Sequence, residues 1–236
     1  MPFPILRTPL VVLSEIISLL EPNQIVTASF CSSNVTCLLK RHFQLRKPLE
    51  WRLFLTDRES CAKVDIMTSD NDKRITVISF RPLSELSEEL QARAARNGYI
   101  PMFNTQFITY FTEDQKMTTK SMVNYVTGLL NLDVFDVVID REGIWAIDWI
   151  NNRQEKILGG LELSTGSKDH SNVDETVDFV LRNARVNTYC KMYYNVSDTF
   201  KFNGKLGPMR QLYVRYGHWV TLNGIIYIKA TGGQEV

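Results

Sequence analysis

The first forty residues carry apolar positions at the spacing of helices. The first run consists of Val12, Leu13, Ile16, Ile17 and Leu20. Thr8 suits the N-cap of this helix, and Pro9 suits its first position, where the missing N–H costs nothing. Pro22 ends this helix and opens a second one, which carries Ile25 and Ala28 on one face.

A third helix is predicted after Ser32 or Ser33, either of which can cap it. Its inward positions are Val35, Leu38, Leu39 and either His42 or Phe43. All three helices are apolar on more than one side, and so short a module cannot bury that much surface alone. A partner or the remainder of the chain must therefore cover the rest.

From Trp51 onward the apolar positions recur at every second residue, as they do in strands. The alternating sets are Trp51, Leu53 and Leu55, then Ala62, Val64 and Ile66, then Ile75 and Val77. Turn-forming residues at 69–72 separate the last two sets, so we predict a small antiparallel meander. A charged surface helix over 82–97 should end at Gly98, and the aromatic stretch 100–111 is β-prone.

Helices and strands alternate in the second half of the chain. Helices are predicted around 122–129, 145–156 and 172–181, the last opened by a capping-box pattern from Asn172 to Glu175. Strands are predicted at 134–139, 161–163, 189–195, 211–215 and 225–228. Units of about 20–30 residues have the length of leucine-rich repeats. The strands near 134–139, 161–163, 192–194 and 212–214 should therefore be parallel, with helical crossovers in at least the first two connections.

Composition narrows the class of protein but does not name it. The 236 residues are 44% apolar and 22% charged, as in an ordinary globular protein. The net charge of +1 gives no basic surplus that points to nucleic acid or to an anionic membrane. We therefore expect neither as a partner.

The four cysteines are scattered and have no histidine at ligand spacing, so we expect no metal site and no disulfide framework. The apolar run 9–20 is long enough for the core of a secretory signal, but Glu15 interrupts it. The run is also shorter than the ~20 residues that cross a bilayer. We expect an intracellular protein, cytoplasmic or nuclear, with reduced thiols.

Residues 3–39 read FPILRTPLVVLSEIISLLEPNQIVTASFCSSNVTCLL, and this segment resembles the F-box. In that motif a proline precedes an amphipathic helix, an Asp-Pro pair follows, and a Val-Cys pair precedes a third helix. The matching positions are Pro9, Glu21-Pro22, Ile25 in place of a leucine, and Phe30-Cys31. The resemblance covers about residues 3–43. It departs from the motif at Thr8, where leucine is usual, and at 32–34, where basic residues and an aromatic are common.

The second half is similar to the type-2 F-box-associated domain. The matching stretches are Ala146 to Gln154 after a strand, the helix 174–181, and His218 to Leu222. The likeness covers about residues 120–225. Relatives tend to continue beyond Ile228, so a terminal repeat is expected to be missing or replaced by the polar tail 231–236.

The two resemblances together imply a non-enzymatic substrate adaptor of an SCF-type E3 ubiquitin ligase, without a cofactor. The implied fold is mixed α/β, with an F-box at 3–45, a meander and connecting segment at 46–118, and a leucine-rich-repeat-like domain at 119–230. The F-box would bind a Skp-type linker subunit of the cullin-RING ligase. The expected contact residues are Leu6, Pro9, Val12, Leu13, Ile16, Ile17, Leu20, Ile25 and Phe30.

A protein substrate should meet the exposed side chains of the open sheet face. The residues expected there are Asp136, Glu162, Tyr193 and Tyr213. One alternative is a repeat-type binding protein whose N-terminal helices only cap the array. Another is a hydrolase that uses Asp136, Asp140, Glu142 or Asp148, although acids near a helix start more often serve as caps.

Overall fold

The structure is a computed structural model of the 236-residue chain. It describes residues 9–45, 50–59, 61–68, 73–94, 98–104, 106–165, 173–217 and 219–220. The chain divides into two compact units, which we treat in turn. Unit one consists of Met1–Leu53 and Ala62–Asp133, and unit two consists of Phe54–Cys61 and Val134–Val236.

The described residues form α-helices and strands in a mixed α/β arrangement. The helices are α1 (Leu10–Ser18), α2 (Pro22–Cys31), α3 (Ser33–Leu45), α4 (Glu88–Ala94), α5 (Gln115–Leu130), α6 (Trp145–Arg153) and α7 (Val173–Asn183). The strands are β1 (Arg52–Arg58), β2 (Cys61–Met67), β3 (Arg74–Pro82), β4 (Tyr99–Phe103), β5 (Ile108–Thr112), β6 (Val134–Ile139), β7 (Leu158–Leu163), β8 (Val186–Met192) and β9 (Gln211–Val214). Short 3₁₀ turns lie at Leu83–Glu85 and Glu142–Ile144.

The three N-terminal helices form as the apolar spacing predicts, and their caps explain the boundaries. Pro9 stands at the N-cap of α1 rather than at its first position, and its carbonyl accepts from the N–H of Leu13 at 3.0 Å. Glu21 and Gln24 exchange side-chain and backbone hydrogen bonds in a capping box, with Pro22 in the first turn of α2. Ser32 caps α3, because its hydroxyl accepts from the N–H of Asn34 at 3.2 Å.

The sheet of unit one has the order β4-β5-β3-β2. The predicted antiparallel pairing of β2 with β3 is confirmed, with a register irregularity between Val64 and Asp65. β3 then pairs in parallel with β5, and β5 pairs antiparallel with β4. The turn predicted at 69–72 lies outside the described residues.

Alternation was the wrong expectation for β1. All five residues from Leu53 to Asp57 are buried, so the strand is covered on both faces. The charged helix predicted over 82–97 is shorter than expected. Within the described residues it consists of the 3₁₀ turn at Leu83–Glu85 and α4. Gly98 follows with φ +72°, a left-handed value that glycine accepts without steric cost.

Strand β4 ends the sheet of unit one and contains a proline. The pairs Gly98–Glu113 and Asn104–Phe107 are joined by backbone hydrogen bonds on the β5 side. Because bonded and non-bonded pairs alternate along an antiparallel ladder, Pro101 belongs to the set whose N–H would point away from β5. A proline is compatible with a sheet at this kind of position.

Aromatic rings join α2, α5 and β5 in the core of unit one. Phe30 stacks on Tyr125 with 4.6 Å between ring centres, and it lies 6.3 Å from Tyr110. The Tyr125 hydroxyl donates to the Ser29 hydroxyl at 2.7 Å, and Ser29 donates to the Val26 carbonyl. Burial, followed by the nearness of Tyr99 and Tyr125, raises the pKa of Tyr110 well above its usual range.

In unit two the described strands have the order β1-β6-β7-β8-β9. The pairs β6–β7, β7–β8 and β8–β9 are all parallel, as the sequence predicts. The first two connections contain α6 and α7, so the prediction of helical crossovers is also confirmed. Strand β8 covers 186–192, earlier in the chain than the predicted 189–195. The predicted cap Asn172, His218 and the predicted strand 225–228 lie outside the described residues.

One face of this parallel sheet is fully buried. Its residues are Val137, Ile139, Leu161, Leu163, Cys190, Met192, Leu212 and Val214. The apolar sides of α6 and α7 are buried as well, which indicates that the crossover helices cover this face. Burial raises the pKa of the Cys190 thiol to about 12.

This burial predicts how the cysteines react. A neutral, enclosed thiol is a poor nucleophile, whereas Cys31, Cys37 and Cys61 are exposed. We expect an aromatic disulfide reagent at pH 8 to label three thiols rapidly and the fourth only after denaturation. Mass spectrometry of the labelled peptides identifies the protected residue. Rapid labelling of Cys190 in the native protein would contradict the burial of this face.

Candidate binding surfaces

Helix α1 divides its apolar residues between two adjacent stripes. Leu13, Ile17 and Leu20 have i, i+4, i+7 spacing and face inward, with Leu13 and Ile17 buried and Leu20 half-buried. Val12, Ile16 and Leu19 have the same spacing one residue earlier, and we call them the outward stripe. Val12 is 48% exposed, Ile16 is half-buried, and Leu19, directly after the helix, is 83% exposed.

Val11 lies beside the outward stripe and is 74% exposed. Leu19 keeps helical backbone angles, so the stripe continues to the end of the helix without a change of direction. Single exposed apolar residues are common, but several on one helix side form the kind of patch that marks an interaction site. This side of α1 can therefore enter an apolar groove.

The predicted linker-contact residues fall into three groups in the structure. Leu13, Ile17 and Ile25 are buried in the chain's own core. A side chain in that position cannot also fill a partner's groove, so direct contact by these three does not fit the described structure. Pro9 and Val12 are exposed, and Ile16, Leu20 and Phe30 are half-buried, whereas Leu6 lies outside the described residues.

Two exposed apolar residues on this side of α1 were not predicted from the sequence. Val11 and Leu19 were not among the predicted contact residues, although both are more exposed than Val12. The sequence feature that could have identified Leu19 is a second i, i+4, i+7 series. It starts at Val12 and runs beside the series that starts at Leu13. Periodicity shows both series but does not show which one the rest of the chain covers.

The second candidate surface is the other face of the parallel sheet in unit two, which we call the polar face. Parallel registry places Val138, Glu162, Lys191 and Tyr213 in one row across four strands. The next row consists of Asp136, Gly160, Tyr189 and Gln211. Directly opposite residues on neighbouring strands point to the same side of a sheet, so the rows form one continuous surface.

A glycine shapes the second row. The Tyr189 ring lies over Gly160, so close that a Cβ on that glycine would come within 2.3 Å of the ring. Across this glycine the Tyr189 hydroxyl donates to Oδ2 of Asp136 at 2.8 Å. The absence of a side chain on β7 thus lets a tyrosine from β8 reach an aspartate on β6.

The first row carries charges of both signs. A guanidinium nitrogen of Arg58 lies 3.0 Å from Oε1 of Glu162, and both side chains are about one third exposed or slightly less. The Lys191 ammonium lies 4.8 Å from the centre of the Tyr189 ring, a cation–π distance. The Tyr213 hydroxyl donates to the side-chain carbonyl of Gln211 at 2.8 Å.

The structure brings three of the four predicted substrate residues to this surface in accessible form. Glu162, Tyr193 and Tyr213 are half-buried rather than fully exposed, with Tyr193 two residues beyond Lys191. The expectation that Asp136 is exposed is wrong. It is 5% exposed, because the ring of Tyr189 crosses Gly160 and covers it.

The carboxylates considered for hydrolysis do not share one environment. Asp140 is buried, and its Oδ1 accepts from the N–H groups of Glu142 and Gly143 at 3.0 and 3.2 Å. Its Oδ2 accepts from the N–H of Glu59 at 2.6 Å. Glu142 and Asp148 are exposed. These bonds give Asp140 the role of a cap that ties the segment after β6 to the end of β1.

This role predicts a large stability effect. Replacement Asp140→Ala removes the acceptor of three backbone N–H groups, of which that of Gly143 forms a buried bond and those of Glu59 and Glu142 form partly buried ones. An unsatisfied buried donor costs about 1–3 kcal/mol, and a partly buried donor costs less because water can replace the acceptor. We expect a loss of roughly 2–4 kcal/mol in the free energy of unfolding, measured by urea denaturation. Glu142→Ala changes an exposed neighbouring acid and serves as the control, with little expected change. Equal stability of Asp140→Ala and the wild type would show that the cap is dispensable.

Among the described residues, no group of three or more histidine, cysteine, aspartate or glutamate side chains is placed to hold a metal ion. Within the same ranges, no helix combines the length and the apolar character needed to cross a membrane. No protein-family model matches the chain, and neither the curated proteins nor the solved structures contain a significant match. The two surfaces described above are therefore the features from which a function can be inferred.

Proposed function

We propose that this chain is a substrate adaptor of an SCF-type E3 ubiquitin ligase. The observation that carries the proposal is the outward stripe on α1, an apolar series at i, i+4, i+7 spacing whose first and last members are exposed. Helices with this spacing bind by entering apolar grooves. The order of short helices separated by Glu21-Pro22 supports the likeness to the F-box, and the proposed groove belongs to a Skp-type linker subunit.

In this proposal the inward and outward stripes have different tasks. Leu13 and Ile17 hold α1 against the core of unit one, while Val12, Ile16 and Leu19 enter the groove. Full burial of each aliphatic side chain is worth about 1.5–3 kcal/mol. Val11, Val12 and Leu19 are exposed and can gain most of this amount, whereas the half-buried Ile16 gains less. Together they can offset the cost of association.

The polar face of unit two is the proposed binding surface for the protein substrate. The parallel strands β6–β9 present their rows side by side, and the half-buried residues Glu162, Tyr193 and Tyr213 lie on or beside them. A leucine-rich-repeat-like array would use the same kind of surface. In this assignment the chain itself performs no chemistry and acts inside the cell, in the cytoplasm or the nucleus.

The proposal is tested by titrating the full chain with a recombinant linker subunit in an isothermal calorimeter. A saturable 1:1 complex that is captured together with the cullin scaffold is the expected result. Absence of binding by the folded chain would remove the adaptor proposal. A second measurement concerns the substrate, whose half-life in cells should lengthen when the accessible residues Glu162, Tyr193 and Tyr213 are all replaced by alanine while linker binding is intact.

The second candidate function is a binding protein without a ligase role, in which the N-terminal helices only complete the fold. The close packing of α2 against the rest of unit one favours it, since Phe30 stacks on Tyr125 of α5. The same calorimetric titration separates the two functions. A chain that binds its protein ligand but never the linker subunit belongs to the second class.

A further inference from the structure

We propose that the polar face recognises an acidic, extended stretch of polypeptide. This inference rests on the proposed function in one respect, because it assigns a chemical class to the substrate expected on that same face. The supporting observation is that the carboxylates on this face accept hydrogen bonds from within the chain, whereas two cations on or beside the rows have no carboxylate partner among the described residues. Acidic stretches are recognised by surfaces that offer cationic donors to an incoming chain.

One oxygen of each carboxylate on the face already accepts a hydrogen bond from within the chain. Oε1 of Glu162 accepts from the Arg58 guanidinium at 3.0 Å, and Oδ2 of Asp136 accepts from the Tyr189 hydroxyl at 2.8 Å. Asp136 is also covered by the ring that binds it. A cationic ligand would have to compete with these internal donors, so the acceptor side of the face is poorly suited to binding one.

The cations are placed differently. The Lys191 ammonium lies over the Tyr189 ring, and among the described residues no carboxylate is within ion-pair distance of it. Arg215 is exposed two residues beyond Tyr213, with its guanidinium 5.6 Å from the Tyr216 ring. Aromatic rings hold both cations in place without neutralising their charge. Each can therefore donate to a carboxylate supplied by a partner.

The shape of the face favours a polypeptide over a small anion. Each row crosses four strands, and neighbouring strands lie about 4.8 Å apart, so a row is roughly 14 Å wide. Tyr189 lies on β8, Tyr193 directly follows that strand and Tyr213 lies on the neighbouring β9, and all three are half-buried. Tyrosine combines a large contact area with few rotatable bonds, which makes it effective at protein interfaces.

The experiment uses the full chain and a fluorescein-labelled hexaglutamate peptide, followed by fluorescence anisotropy at low salt. Lys191→Glu should weaken binding at least about fivefold, because it replaces an attraction by a repulsion at short range. Lys201→Glu makes the same charge change at an exposed residue that belongs to neither row and should have less than about a twofold effect. Lys191→Met, which removes the charge but keeps a long unbranched side chain, should give an intermediate loss.

Several results would overturn the inference. They are absence of hexaglutamate binding by the wild type, equal weakening by Lys191→Glu and Lys201→Glu, and tighter binding of labelled hexalysine than of hexaglutamate. Tighter binding of single-stranded oligothymidylate of matched charge would assign the face to nucleic acid instead. Circular dichroism of each variant shows that a loss is not due to unfolding.

The linker titration is made on the same preparations, so the two proposals can fail separately. A wild type that binds hexaglutamate through Lys191 but never the linker subunit would retain this inference and remove the adaptor proposal. A wild type that binds the linker subunit but not hexaglutamate would do the reverse. Lys191→Glu should leave the linker affinity unchanged, because Lys191 is not among the residues proposed to enter the linker groove.

Discussion

Replacement Leu19→Asp should reduce the affinity for a Skp-type linker subunit by at least about 100-fold, while the chain stays folded. Leu19 is 83% exposed, so the free protein accepts an aspartate there without burying it. In the complex the same aspartate would be removed from water without a partner, which costs several kcal/mol. Calorimetric titration of the wild type and the variant measures the difference.

Leu45→Asp is the matched control. Leu45 is 76% exposed at the end of α3, so the two substitutions have the same chemistry and nearly the same exposure. Ile16→Asp, in the outward stripe, should also abolish linker binding, and the same loss is predicted for Leu20→Asp although Leu20 faces inward. Both side chains are half-buried, so the thermal unfolding of each variant must be compared with that of the wild type first. Undiminished binding of Leu19→Asp would show that the outward stripe is not the docking surface.

Replacement Gly143→Ala should destabilise the protein by about 1–3 kcal/mol, the range for overpacking a close contact. A Cβ at this position would lie 2.2 Å from the backbone carbonyl of Asp57 and 3.0 Å from the Ile139 side chain. A backbone carbonyl cannot rotate away as a flexible side chain can, so β1 or the 3₁₀ turn has to shift. The shift would also lengthen the bonds that Asp140 accepts, which links the two effects.

Gly128→Ala provides the opposite control. Gly128 lies inside α5, is exposed, and has open space where a Cβ would stand. Alanine there should stabilise the helix by about 0.5–1 kcal/mol, because glycine loses more backbone freedom on folding. Urea denaturation of both variants gives the comparison. If the two substitutions changed stability equally, the close approach at Gly143 would have no energetic importance.

Local pattern predicts much of unit two. The apolar run over Val134–Ile139 is a strand with the predicted bounds, and helical spacing around Trp145 and after Asn172 locates α6 and α7. Strands separated by helices must run parallel when they are neighbours, so the alternation also predicts the parallel pairing. Each of these predictions uses only the sequence of one helix or strand and of the elements directly before and after it.

The parts that the sequence did not predict depend on contacts between distant residues. The parallel pairing of β3 with β5, next to the antiparallel β4, requires knowing which strand closes the sheet of unit one. Asp136 is buried by a tyrosine 53 residues later, and only because Gly160 stands between them. Periodicity assigns a residue to a side of its own helix or strand, but it does not show what covers that side.

The proline in β4 affects how the protein behaves in concentrated solution. An exposed sheet edge invites a strand from another molecule to extend the ladder, and Met102 and Phe103 make this edge apolar as well. The residues of β4 whose backbone groups point away from β5 are Tyr99, Pro101 and Phe103. Pro101, at the centre, has no N–H, so an incoming strand could not form a hydrogen bond there. The protein can thus expose these apolar side chains in concentrated solution with less risk of self-assembly into fibres.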